Sequence, residues 1–312
     1  MSKTHGPRFG LSDLLMLAAV VMWGINFSFI KIALREMTPN GFNGWRMTLT
    51  AAGFVVLLAF SGQGFRVPRR DFWKLLLLGV AGNAVYQAIF IHGASATSAS
   101  NASFILSTSP VFVALLSAAL GIERIHWAAW LGIFISVAGL YVVIAANGNG
   151  LQWSGADVRG DGLILLGTIV WAVGTVLAKP FLETMTPLKY SAVTVALGAV
   201  FYIPTTIRDM LAVPFATVSW KAWLSLVMSG LFGLVFGYLI WYYSVQRVGN
   251  ARTAVYNNLT PIFTALFASL LLGEKLSPIQ AVGAAIILGG VYLTRMGYRF
   301  FLRNRPIPPI PD

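Results

Sequence analysis

Ten long apolar stretches follow one another along the chain, separated by short polar connections. A helix needs about 20 apolar residues to cross a hydrocarbon core of roughly 30 Å, and each stretch is close to that length. Charged residues make up only 10% of the 312, whereas soluble domains carry about a quarter. Continuous runs also disfavour transmembrane strands, which alternate polar and apolar residues. The sequence therefore predicts an all-α integral membrane protein, with ten helices over 13–34, 42–61, 72–93, 98–119, 125–146, 161–181, 189–208, 222–246, 250–272 and 278–298.

The positive charges predict how the chain is oriented. They lie between the apolar stretches and not in one basic stripe, so the net charge of +12 is read as a topology signal and no nucleic-acid partner is expected. With the N-terminus inside, 15 of the 22 lysines and arginines face the cytoplasm. We therefore expect a multi-pass protein of a bacterial inner membrane with both termini cytoplasmic. The opposite side receives Lys31, Arg35, Arg46, Arg159, Arg208, Lys221 and Lys275.

Rare residues recur at a nearly constant offset. Asp13, Trp23, Lys31, Thr38 and Pro39 return 148 positions later as Asp161, Trp171, Lys179, Thr186 and Pro187, and Pro110 and Glu123 return 151 positions later as Pro261 and Glu274. Such agreement indicates two homologous halves. Each half holds an odd number of spans, five, so we expect inverted repeats with a substrate site between them near the bilayer midplane.

The predicted organisation follows from this repeat. Residues 1–12 form a cytoplasmic segment, 13–146 the first five-helix repeat, 147–160 a loop, 161–298 the second repeat, and 299–312 a basic, proline-rich cytoplasmic tail.

The recurring tryptophan and lysine of each half occupy different depths. Eight helical residues rise roughly 12 Å, so Trp23 and Trp171 lie well inside their spans and are predicted to line the cavity. Lys31 and Lys179 lie near span ends, where a lysine can extend to the interface as an anchor, and a gating or substrate role is the alternative. Pro110 and Pro261 are predicted kinks, because each removes a backbone hydrogen bond within a span.

Uncharged polar and aromatic residues cluster at depth. Asn83, Tyr86 and Gln87 share one helical face, which would be costly to turn toward lipid. Hydrogen bonding between helices is the simpler explanation for any single polar residue, but the whole set favours a polar and aromatic cavity. The predicted substrate-binding residues are Trp23, Asn26, Asn83, Tyr86, Gln87, Ser103, Ser107, Thr168, Trp171, Tyr238, Trp241, Tyr242 and Asn257.

The fourth and ninth spans, "SPVFVALLSAALGIER" and "TPIFTALFASLLLGEK", share a Pro-then-Glu pattern. Together with "LMLAAVVMWGINFSFIKIAL", they resemble the EamA-type drug/metabolite transporter superfamily, and the similarity covers nearly the whole chain. The resemblance implies ten helices in two inverted five-helix repeats and export of amino acids or other small metabolites. The branch that includes aromatic amino-acid exporters is the most similar.

The charged residues narrow the function further. All ten carboxylates fall at span ends, in loops or in the tail, so a strongly charged substrate and obligatory proton coupling are disfavoured. No P-loop and no clustered metal ligands occur, and no cofactor is expected. We expect a monomeric exporter of small net-neutral solutes, working by facilitated diffusion through alternating access. A channel-like pore is the main alternative, ahead of a membrane enzyme or receptor, for which no paired nucleophile and base were found.

Overall fold

The computed structural model describes residues 10–123, 125–145, 155–272 and 278–302, which form helices joined by short turns, with no strand among them. We number the helices in chain order. They are α1 (Leu11–Ala33), α2 (Pro39–Phe60), α3 (Arg69–Ala96), α4a (Ala99–Leu106), α4b (Ser109–Ala119), α5 (Trp127–Ala145), α6 (Gly155–Leu182), α7 (Pro187–Leu211), α8 (Trp220–Val248), α9a (Asn250–Ala254), α9b (Thr260–Leu272) and α10 (Pro278–Leu302).

Eight helical stretches of the described residues are long and apolar enough to cross a membrane. They coincide with the first four predicted spans and with the sixth to the ninth, so the all-helical membrane architecture is confirmed. At the fifth and tenth predicted spans the structure has α5 and α10, which contain the shorter apolar segments Trp127–Gly139 and Ala285–Thr294. Ten membrane crossings stay a prediction.

The predicted boundaries agree with the helices to within a few residues, with one clear difference. α6 begins at Gly155, six residues before the predicted start of the second repeat, so the end of the predicted loop 147–160 is helical. Residues 1–9, most of that loop, Glu274, Lys275 and the tail from 303 onward lie outside the described residues.

Both halves begin their second helix in the same way. Thr38 precedes Pro39 at the start of α2 and its hydroxyl accepts the Gly41 N–H at 3.1 Å. Thr186 precedes Pro187 at the start of α7 and accepts the Lys189 N–H at 3.2 Å. Threonine supplies an acceptor for an otherwise unpaired amide, and proline has no N–H to leave unpaired, so this pair starts a helix efficiently.

Four helices are irregular midway along their length. α3 contains a π-helical turn over Val80–Val85, and α8 contains one over Ser229–Phe236. Between α4a and α4b the helix is interrupted just before Pro110, and a 3₁₀ turn over Val255–Leu259 precedes α9b. Pro110 and Pro261 therefore lie in the first turn of a new segment, where proline is tolerated. These irregular turns widen or redirect the helices around the molecule's interior.

Glycines allow the tightest helix contacts. α1 packs against α9b at Gly24, where an added Cβ would lie 2.5 Å from the Cβ of Phe263. α5 packs along α10, and a Cβ on Gly290 would lie 2.3 Å from the Ser136 hydroxyl. Close backbone approach of this kind is how helices associate in a membrane, where the hydrophobic effect between them is weak.

Candidate functional site

A cavity of about 80 Å³ lies among helices from both halves of the chain. α1, α2, α3 and α4a contribute from the first half, and α6, α8 and α9 contribute from the second. Its walls are mainly aromatic and amide-bearing, with a single charged side chain among them. The lining residues are Trp23, Asn26, Phe27, Arg46, Tyr86, Gln87, Phe90, Leu106, Ser107, Trp171, Gly233, Leu234, Tyr238, Asn257 and Thr260.

The aromatic wall is a connected group of rings from α1, α3, α6 and α8. The Trp171 ring centroid lies 5.4 Å from those of Tyr86, Tyr238 and Trp241. The Trp241 ring centroid also lies 5.5 Å from that of Trp23, and Trp241 is fully buried. Trp241 therefore packs against both cavity tryptophans without lining the cavity itself. Tilted ring pairs at this separation gain about 0.5–1.5 kcal/mol beyond their area burial, which holds the wall in one arrangement.

Trp23 is held in position by the irregular turn of α8. Its indole N–H donates to the Gly233 carbonyl at 2.9 Å. A Cβ at Gly237 would lie 2.5 Å from the same indole nitrogen, so only glycine leaves room for this ring. Within the π-helical turn the carbonyl of Gly233 is available to a side chain from α1, and the first half is thereby tied to the second.

A polar network lies on the α2 and α3 side of the cavity. The Arg46 guanidinium donates to Gln87 Oε1 at 2.5 Å and to the Ser229 hydroxyl at 3.2 Å. The Gln87 amide in turn donates to the Tyr238 hydroxyl at 2.9 Å. Phe42 and Phe90 flank the guanidinium carbon at 5.5 and 5.8 Å from their ring centroids. One arginine from α2 thus organises groups from α3 and α8.

The interruptions of α4 and α9 are bound to each other on another side of the cavity. The Ser107 hydroxyl donates to the Asn257 carbonyl at 3.0 Å, and the Asn257 amide donates to the Ser109 hydroxyl at 2.9 Å. Because these segments have lost regular helical hydrogen bonds, side chains satisfy the freed backbone groups. The two predicted kink regions therefore meet directly, beside the cavity.

Eight of the predicted substrate-binding residues line the cavity, and five lie elsewhere. Trp241 and Tyr242 form a second aromatic layer, with Tyr242 4.8 Å from Tyr190 in an edge-to-face pair. The Thr168 hydroxyl bonds within its own helix to the Ile164 carbonyl at 2.8 Å. Asn83 and Ser103 are buried but are not among the lining residues of the cavity. Helical periodicity predicts which side chains share a face, but it cannot separate those that line the cavity from those in the layer behind.

The most distinctive residue of the site is not among the predicted substrate-binding residues. The charge pattern predicts Arg46 on the membrane surface opposite the cytoplasm, and that prediction is wrong, because the side chain is 1% exposed and lines the cavity. It lies on the eighth residue of α2, roughly 10 Å from the helix start. A lone arginine inside the apolar run 42–61 was the available signal, since an ionisable residue within a span marks a functional site by default.

The two repeated lysines make equivalent contacts. The Lys31 ammonium donates to the carbonyls of Ala94 and Thr97 at 2.7 and 2.5 Å, where α3 ends. The Lys179 ammonium donates to the carbonyls of Val245 and Gln246 at 3.0 and 3.3 Å, where α8 ends. A cation at a helix C-terminus satisfies orphan carbonyls and the negative end of the dipole. Each lysine therefore ties the first helix of its half to the third, in place of the interfacial anchoring expected.

The duplicated architecture and the cavity match a known family. The sequence matches the EamA-like transporter family twice, over residues 10–145 and 158–296. The chain belongs to the EamA-like transporter family. The predicted resemblance is confirmed, and the protein is a membrane transporter with an internally repeated family unit.

Several relatives carry names that bear on function. An uncharacterized transporter of Archaeoglobus fulgidus is 34% identical over 94% of this chain and 97% of its own. A protein of Streptantibioticus cattleyicolor named "Probable terminal-alkyne amino-acid exporter" is 30% identical over 89% of this chain and 91% of its own. The "Probable amino-acid metabolite efflux pump" of Escherichia coli is 28% identical over 92% and 95%.

The fold is also shared with a solved structure. A crystal structure superposes with a TM-score of 0.77 at 19% identity, covering 93% of this chain and 98% of its own. At that identity the likeness concerns the fold alone.

Proposed function

We propose that this EamA-family transporter exports small, net-neutral metabolites, above all amino acids with apolar or aromatic side chains. The observation that carries the proposal is the composition of the cavity. Trp23, Tyr86 and Trp171 offer an aromatic wall, whereas Asn26 and Asn257 offer amide groups. Such walls fit a solute with one apolar end and one polar end. The names of the Streptantibioticus and Escherichia relatives support the same substrate class.

The transport cycle that we propose is alternating access between two inverted repeats, without obligatory proton coupling. The cavity lies between the halves, as expected when one half rocks against the other around a fixed site. The paired lysine contacts and the paired helix starts support an equivalent internal structure of the two halves. We further propose an inner-membrane location with both termini in the cytoplasm, which reporter fusions at residues 1 and 312 would test. Reporters on opposite faces would contradict it.

The decisive experiment is counterflow in proteoliposomes that contain the purified full-length protein. Vesicles are preloaded with unlabelled phenylalanine, leucine or alanine, and uptake of the same labelled amino acid is followed. We expect saturable counterflow with the order phenylalanine and leucine above alanine, and no loss when an uncoupler is added with solute gradients clamped. Non-saturable flux without counterflow would favour a channel-like pore instead. Empty vesicles and vesicles with heat-denatured protein are the controls.

A further inference from the structure

Arg46 carries a charge that the described protein does not neutralise. An arginine side chain stays protonated at any physiological pH, and this one is 1% exposed inside the cavity wall. Its hydrogen-bond partners, Gln87 and Ser229, are both neutral. No carboxylate of the described residues forms an ion pair with Arg46, and the ion pair of Arg70 with Asp71 lies outside the cavity. A buried charge without a counter-charge is destabilising, so its presence requires an explanation.

The guanidinium also retains unused donors. It has five N–H groups in a planar fork, of which the described residues accept two. The Nε atom is buried without any acceptor. Gln87 and Ser229 orient the guanidinium, and Gln87 is itself held by its hydrogen bond to Tyr238. Neither residue neutralises the positive charge, because both are uncharged. A pre-oriented, unneutralised guanidinium is the arrangement that binds a carboxylate with two parallel hydrogen bonds.

We propose that Arg46 is an anion-binding residue of the transport cavity and that the transported solute carries a carboxylate. This inference rests on the proposed function and specifies its substrate class. The carboxylate lies on Arg46, which places the rest of the solute against the aromatic wall. For an amino acid, the ammonium group then has an acceptor in Asn26 Oδ1. This oxygen is buried, belongs to a cavity residue and accepts no hydrogen bond from the described residues. The predicted net-neutral solute is retained, because an amino acid balances its carboxylate with its ammonium group.

A purely structural role, in which Arg46 only holds helices together, does not explain why the residue is charged. A brace needs donors, and the neutral asparagine or glutamine found elsewhere in the cavity would supply them without a buried charge. The position equivalent to Arg46 in the second half, 148 residues on, is Thr194, whose hydroxyl simply bonds to the Tyr190 carbonyl at 2.9 Å. The same helix of the same fold therefore forms without an arginine.

The first test leaves the protein unchanged and varies the solute. Inhibition of labelled phenylalanine counterflow is measured with phenylalanine, with phenylpropanoate, which lacks the ammonium, and with phenylalaninamide and phenethylamine, which lack the carboxylate. We expect the two carboxylate-bearing compounds to compete at least tenfold better than the two that lack it. Equal competition by all four would overturn the inference while leaving amino-acid export intact. Counterflow is therefore also measured with labelled phenylpropanoate, and its transport without transport of any amino acid would support the inference and contradict the proposed substrate.

The second test changes Arg46 and compares it with a matched control. Arg46→Gln keeps hydrogen-bond donors but removes the charge, and Arg46→Lys keeps the charge but loses the fork. We expect Arg46→Gln to raise the half-saturating phenylalanine concentration at least tenfold and to abolish the preference for phenylpropanoate over phenethylamine, with Arg46→Lys intermediate. Arg208→Gln, an exposed arginine at the end of α7, should behave as wild type. An Arg46→Gln protein that retains the wild-type preference among the four compounds would overturn the inference.

Discussion

Helices α2 and α7 hold equivalent places in the two halves, yet they differ where they meet the cavity. Both start at a threonine followed by proline, with the same cap geometry. Eight residues into each helix, however, α2 places the buried Arg46 and α7 places Thr194, whose hydroxyl returns to its own backbone. The recurring features include the helix starts and the two cavity tryptophans, whereas the charged side chain occurs in one half alone. A duplicated fold can therefore carry a binding site with only one charged end.

The largest effect is expected where the second helix of one half crosses the third helix of the other. These crossings are α7 with α3 and α2 with α8. In one crossing, a Cβ on Gly198 would lie 2.5 Å from the Gly79 carbonyl oxygen, which is backbone and cannot move aside. In the equivalent crossing, a Cβ on Gly230 would lie 2.9 Å from Cδ2 of Leu49, the end of a flexible side chain. Gly198→Ala should destabilise the protein by about 1–3 kcal/mol or more through overpacking, and Gly230→Ala by less.

Thermal unfolding of both variants in the same detergent measures that difference. Gly174→Ala is the control, because a Cβ there meets nothing within 4 Å. Equal melting temperatures for the Gly198 and Gly230 variants would show that the two crossings tolerate an added Cβ equally well, which would contradict the prediction.

The lysine contacts provide the next comparison. Lys31→Met and Lys179→Met should each lower the melting temperature, because two helix-end carbonyls lose a charged donor that is worth about 1.5–3 kcal/mol. The Lys31 variant should lose more, since its hydrogen bonds are shorter than those of Lys179. Counterflow by the surviving protein is measured alongside. If transport fell strongly while melting stayed unchanged, the lysines would act in gating and not in holding the helices together.

The cavity tryptophans should produce a smaller effect, on affinity. Trp23→Ala and Trp171→Ala each remove one aromatic surface, which is worth about 1 kcal/mol, or roughly fivefold in apparent affinity. The loss should be larger for phenylalanine than for alanine, because a small side chain cannot reach both rings. Trp171 contacts three rings, so its variant should also melt earlier. Unchanged half-saturating concentrations for every amino acid in both variants would remove the tryptophans from the site.

The smallest effect is expected outside the membrane. The Ser219 hydroxyl and amide both donate to the Glu36 carboxylate at 2.6 Å, and these hydrogen bonds lower the pKa of Glu36 below its usual value. Because the folded-state pKa is the lower one, the stabilisation is complete above the unfolded pKa and is lost as pH falls through the folded value. The second half has Thr184 at the equivalent position, 148 residues on, and that side chain bonds to the Phe181 carbonyl.

Melting curves of wild type and Glu36→Gln between neutral and acidic pH test this contact. We expect a small advantage for wild type at neutral pH that begins to fall below the usual glutamate pKa of 4.5 and is lost once the pH is below the lowered pKa of the folded state. Glu183→Gln, at an exposed neighbour of the equivalent position, is the matched control. An advantage that persists under acidic conditions would assign the effect to something other than the carboxylate.

Much of the cavity could be predicted because a helix repeats on a fixed period. Their shared helical face predicts Tyr86 and Gln87, and their depth in equivalent helices predicts Trp23 and Trp171. Trp241 satisfies the same criteria, yet it lies behind the two cavity tryptophans with its indole N–H on the Thr175 hydroxyl at 3.2 Å. Periodicity gives the direction in which a side chain points relative to its own helix. It contains no information about which neighbouring ring lies in front.

The sequence by itself determined the all-helical membrane class, the helix starts and the repeated family unit, since hydropathy, capping and proline effects act within a few residues. Tertiary structure decided the site. The partners of Arg46 lie 41 and 183 positions away, and the Trp23 indole bonds to a carbonyl 210 positions away. An arginine near the start of an apolar run can extend to the membrane surface or turn inward. Only the packing of α2 against α3 and α8 directs Arg46 into the cavity, because those helices supply the acceptors that hold its guanidinium there.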